Sequence, residues 1–119
     1  MKTKLLNNKK MNNNVYSLRR KVIKLIYDAN KLIKLPRISV RICDDHEKIL
    51  GVARMKENII WITENSVASR SVVFHEILHA VFGQNHVRNC QLMDVSIDPK
   101  LNKKIVDRLF IKYAKKYER

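Results

Sequence analysis

His75 and His79 stand four residues apart and bracket Glu76 inside an otherwise apolar run, Val72-Val73-Phe74-His75-Glu76-Ile77-Leu78-His79-Ala80-Val81-Phe82. On a helix, residues at that spacing lie one above the other, about 5–6 Å apart at Cβ, so both imidazoles face the same way. Two neutral imidazoles so placed can each give a nitrogen to one Zn²⁺ at about 2.0–2.1 Å. Glu76 directly follows the first histidine and points off the axis the rings share. It is suited to hold and deprotonate a water at the metal rather than to serve as a third ligand. Gly83 then ends the helix as a C′ residue and turns the chain, so that His86 can swing back as the third ligand. With apolar residues on most sides, the helix must be buried, with His75, Glu76 and His79 facing a cleft.

Chance does not account for the pattern. Four His and five Glu in 119 residues give an accidental H-E-x-x-H in about 0.5 per cent of such chains, before any apolar context or following Gly is required. The spacing therefore predicts a site for one zinc ion per chain, with His75, His79 and His86 as ligands and Glu76 as the catalytic carboxylate.

The remaining composition narrows the setting. A chain of 119 residues is long enough for one modest core and not for two, so residues 1–119 are expected to form a single domain. No run approaches the ~18–20 apolar residues of a membrane span, and the basic start lacks the apolar core of a secretory signal. The expectation is a cytoplasmic protein with no membrane partner. Cys43 and Cys90 make no disulfide framework and are expected to be free thiols. The net charge of +14 is uneven: residues 1–42 carry +11, residues 43–98 carry −3 and residues 99–119 carry +6. Basic ends suit nucleic acid or acidic partners. No aromatic-interleaved basic stripe accompanies the charge, however. Lys, Asn and Ile fill a third of the chain, as AT-rich coding produces, and composition bias is the favoured reading.

Taken in order, residues 1–14 read as a polar, flexible tail. One of Asn12, Asn13 and Asn14 caps a helix carrying Val15, Leu18, Val22, Leu25, Ile26, Ala29, Leu32 and Ile33 on one face, and Pro36 stops it. Ile38, Val40 and Ile42 alternate with polar residues as a strand. Asp44-Asp45-His46-Glu47 is a solvated turn. Residues 49–55 form a second strand, joined through Lys56-Glu57-Asn58 to a third over Ile59–Thr63. Asn65 or Ser66 caps the histidine-bearing helix, which runs to Phe82. Residues 87–94 are too short and polar for an element. Asp98-Pro99 opens a last helix that presents Leu101, Ile105, Leu109 and Tyr113 and runs to about Tyr117. The predicted class is α+β: an N-terminal helix, a three-stranded sheet, the H-E-x-x-H helix and a C-terminal helix.

His75–His86 followed by Leu92-Met93 resembles the metzincin clan of zinc peptidases, in which a third His follows the helix-ending Gly and a methionine turn lies beneath the metal. Leu50-Gly51-Val52-Ala53-Arg54 and the strand after it are similar to matrixin-like segments that form the upper rim of the cleft. The similarity covers roughly residues 38–113 and extends to small archaeal and bacterial zincins of this length. It implies a zincin-like domain, a zinc-dependent metalloendopeptidase acting on a peptide or an unfolded protein, a methionine turn at Met93, and Gly51, Val52, Ala53 and Arg54 as the substrate rim. The clan places its third His six residues after the second. Here His86 is seven after His79, the extra residue falling within Ala80–Gly83, and Asp94, Asp98 and Cys90 are competing ligands. Two other classes stay open: a metal-dependent endoribonuclease of the three-His type, whose motif has Gly where this chain has Glu76, and a non-catalytic zinc-stabilised binding module.

Overall fold

The computed structural model describes residues 13–43, 51–53, 57–63 and 68–117. The acidic turn at 44–47, Arg54, and the caps expected at Asn65 or Ser66 lie outside these residues. Helix α1 spans Asn13–Leu32. It buries Val15, Leu18, Val22 and Ala29, with Ile33 just beyond its end, while Arg20, Lys24 and Lys31 face solvent. The predicted amphipathic stripe is thus the stripe that packs. The Asn30 side-chain carbonyl accepts from the Leu35 backbone N–H (2.8 Å), and Pro36 holds Leu35 away from helical geometry.

Strands β1 (Ser39–Cys43), β2 (Gly51–Ala53) and β3 (Ile59–Thr63) form one sheet in the order β1-β3-β2. β1 runs parallel to β3, from Ser39 opposite Ile59 to Cys43 opposite Thr63, and β2 runs antiparallel to β3. β3 is therefore central, as its Ile-Ile-Trp-Ile-Thr sequence favours. Val40, Ile42, Ile60 and Ile62 are buried. Asn58, just before β3, sits at φ 57°, a left-handed conformation that Asn tolerates better than most residues. Its backbone N–H donates to the Ala80 carbonyl (3.3 Å), which ties the entry of β3 to the end of the histidine helix.

That helix, α2, spans Arg70–Ala80. Its start corrects the sequence expectation. Ser69 is the cap: its hydroxyl accepts from the Val72 N–H. Ala68 at φ 48° interrupts any helical path from further upstream. All residues from Ser71 to Ala80 are buried, as expected for a helix without a polar face.

Helix α3 spans Lys103–Lys115, capped by Asn102, so it begins later than Asp98-Pro99 suggested. Asp98 is used otherwise. Its carboxylate accepts from the Lys100 N–H (2.9 Å) in a local turn, and its carbonyl accepts from the Ser71 hydroxyl (2.6 Å) on α2. The buried stripe is Val106, Phe110 and Ala114, rotated from the expected Ile105–Leu109 line so that Phe110 packs on Phe74 with ring centroids 4.7 Å apart.

Arg70 joins the three helices. Its guanidinium makes a two-pronged pair with Asp107 of α3 (2.7 and 3.1 Å), reaches Asp28 of α1 (3.1 Å) and lies over the Phe74 ring. Its side chain is only 16 % exposed, so the pair is screened less than a surface one. Arg70→Ala is expected to lower the urea unfolding free energy by about 2 kcal/mol, because it strands two carboxylates side by side. Arg70→Lys should restore only part of this, lacking the planar fork.

Candidate metal centre

α2 presents His75 and His79 one turn apart, and each ring is aimed by a backbone carbonyl from the segment that follows the helix. His75 Nδ1 lies 2.7 Å from the Leu92 carbonyl oxygen, and His79 Nδ1 is bonded to the Gln84 carbonyl oxygen. A carbonyl can only accept, so both Nδ1 atoms carry the proton and donate. In the neutral rings both Nε2 atoms are then bare lone pairs. These two face each other at 3.0 Å.

Gly83 makes the turn that brings the next residues back. At φ 70° it takes the left-handed conformation that closes a helix, and its N–H donates to the His79 carbonyl while the Gln84 N–H donates to the Leu78 carbonyl. His86 arrives with its ring centroid 5.2 Å from that of His75 and 4.7 Å from that of His79. One donor atom from each of the three histidines lies within 4.8 Å of the others. Among the described residues, this is the group of His, Cys, Asp or Glu side chains disposed to hold a metal ion.

The competing ligands are engaged elsewhere. The exposed Asp94 carboxylate accepts from the Ser96 and Asn89 N–H groups, which hold its pKa below the usual carboxylate range. Asp98 serves the turn before α3. Cys90 Sγ accepts from the Met93 N–H (3.3 Å), so it braces the loop. Neither Cys43 nor Cys90 is in a disulfide, and the Cys43 thiol donates to the Ile62 carbonyl (3.5 Å).

Comparison with known proteins yields no family model, no curated protein and no solved structure that matches this chain. What stands is a cluster of three histidines, with Glu76 on the helix that carries His75 and His79.

His75, Glu76 and His79 are buried, whereas His86 is exposed. Burial lowers the His75 pKa to about 4, the hydrogen bond to Leu92 opposing the shift. His79 is lowered by burial too. Both rings are therefore neutral at physiological pH, the form in which imidazole binds metal. Glu76 is 3 % exposed, and burial raises its pKa to about 8. Met93 is fully buried; its carbonyl accepts from the Val87 N–H (2.7 Å), and it follows Leu92, whose carbonyl aims His75. β2, where Gly51, Val52 and Ala53 were expected to form a rim, packs against α2. The carbonyls of Gln84 and Leu92 are the functional groups that sequence reasoning missed. No residue-type signal marks them, since every residue carries one.

Proposed function

We propose that this chain is a zinc-dependent metalloendopeptidase, with one zinc on His75, His79 and His86. The observation that carries the reading is the pair of lone-pair nitrogens facing each other at 3.0 Å. Two acceptors at that distance repel unless a cation lies near both. The low pKa of His75 argues against a shared proton at neutral pH. A metal ion fits the donor set. Tetrahedral zinc with nitrogens at about 2.0–2.1 Å sets them roughly 3.3 Å apart, and the Nδ1–H donation to carbonyls is the outer-shell arrangement that orients metal-binding histidines.

Bound there, zinc supplies Lewis acidity, lowering the pKa of a water to ~7 and polarising a carbonyl. Glu76 supplies the proton transfer. With the metal bound, its carboxylate would accept the proton of the attacking water and return it to the leaving amine. An extended peptide laid along β2 by strand addition would bring its carbonyl over the helix. Met93, buried next to Leu92, would be the methionine turn of this reading.

Elemental analysis combined with degradation assays on casein and on RNA tests the reading. We expect about one zinc per chain and cleavage of casein. His86→Ala should lower the bound zinc, and Asp94→Ala should leave it unchanged. Cut RNA with intact casein would replace the peptidase by a three-His endoribonuclease. Full zinc with neither substrate cut would leave a zinc-stabilised binding module.

A further inference from the structure

A second surface lies at the opposite edge of the sheet from β2. Between α1 and β1 is a cavity of about 380 Å³ lined by Arg19, Arg37 and Arg41 together with Ile23 and Ile38. Arg19 gives one N–H to the Val40 carbonyl (2.6 Å), which fixes its guanidinium against the edge strand and leaves further donors on the same fork. Arg37 and Arg41 are exposed. A neighbouring cavity of about 300 Å³ shares Ile23, Arg37 and Ile38 with the first and continues past Tyr27 to Pro36. The two form one furrow, basic at one end and apolar at the other.

The helix face above it carries the interleaved aromatics that the linear sequence did not reveal. Tyr16, Arg20, Ile23 and Tyr27 recur at intervals of four, three and four, so they share one face. Tyr16, Ile23 and Tyr27 are 48, 49 and 60 % exposed, large values for such side chains. Lys31 holds its ammonium 4.5 Å from the centroid of the Tyr27 ring.

We propose that this furrow binds single-stranded nucleic acid, with Arg19, Arg37 and Arg41 on phosphates and Tyr27 offering its ring to a base. Guanidinium forks match phosphate oxygens in pairs. Exposed rings beside a basic groove form the stacking platform of sequence-tolerant single-strand binders. An acidic polypeptide would satisfy the arginines and leave the apolar half of the furrow without a partner. A nucleotide has both an anionic and a flat apolar part.

The test titrates the full-length protein, as purified, into fluorescein-labelled dT12 and follows anisotropy over a range of salt. Three guanidiniums on phosphates predict a slope of log Kobs against log salt near −2, at about −0.7 per phosphate on a single strand. Arg37→Glu/Arg41→Glu should weaken binding at least ~tenfold and remove about 1.4 from the slope. Lys104→Glu/Lys115→Glu on α3 changes the net charge equally and should weaken binding less than ~threefold, if the furrow rather than overall charge is read. Tyr27→Ala should weaken binding ~fivefold or more without altering the slope. Equal losses from the two double variants would reduce the effect to diffuse attraction and overturn the proposal. So would an inert Tyr27→Ala with dT12 displaced by poly-glutamate, which would mark a surface for acidic polypeptides.

Discussion

Glu76→Gln should retain about one zinc per chain and lose casein cleavage by roughly 10²–10⁴-fold, the usual contribution of a positioned general base. Glutamine keeps the volume and one acceptor oxygen but can no longer take a proton. The helix is buried over its whole length from Ser71, so a near-isosteric change is the appropriate probe; alanine would add a cavity to the comparison. Cleavage at the wild-type rate with full metal would remove Glu76 from the reaction. The same variant tests the pKa of about 8. In metal-free protein the folded state holds a proton on Glu76 that the unfolded chain, at about 4.5, has already released. Stability must then fall as pH rises between these values. From pH 7 to 8, where the unfolded histidines are largely neutral, the loss should be roughly 1 kcal/mol by urea titration. Glu76→Gln should give a flat profile there. A wild-type curve equally flat would show that the carboxyl is solvated.

The second large effect is expected from His75→Ala. Outer-shell partners of a metal ligand are worth about 10–100-fold in affinity, and removing the ligand itself should exceed that, measured by competition with a chromogenic chelator. Changing the residue that carries the Leu92 carbonyl should cost much less, since its backbone oxygen remains. His75 also predicts an acid limit. Its folded pKa of about 4 lies below the ordinary 6.5, so the unfolded chain binds the proton first. Metal-free protein should lose roughly 3 kcal/mol as pH falls from 6.5 towards 4, with the full contribution present above 6.5. His75→Gln should make that limb clearly shallower, leaving the part due to His79. An unchanged acid limb would place the titration in another group.

The histidine spacing was legible because it depends only on helix periodicity, and the same holds for the apolar stripe of α1 and the β-prone centre of the sheet. Boundaries were less so. Asn65 and Ser66 are as good caps by residue type as Ser69, and the difference is made by the left-handed Ala68, which no propensity would assign to alanine. Asp98-Pro99 carries a strong helix-start signal, yet a carbonyl contact from Ser71 commits it to a turn. The parallel pairing of β1 with β3 and the meeting of Asp28, Arg70 and Asp107 are long-range events that local pattern cannot show. His86 was legible too, from the Gly83 that ends the helix; what local pattern could not show is that its ring lies beside the other two while Asp94 and Cys90 are bonded within their own loop.

The two oxygens that aim the imidazoles belong to the main chain. Side-chain identity at positions 84 and 92 can drift while the aim persists, so long as the path of the loop is kept. Insertions and deletions between Gly83 and Met93 are then changes this site tolerates poorly, whereas point substitutions at Gln84 and Leu92 leave the aiming oxygens in place. Relatives would be better sought by conserved loop length than by conserved letters.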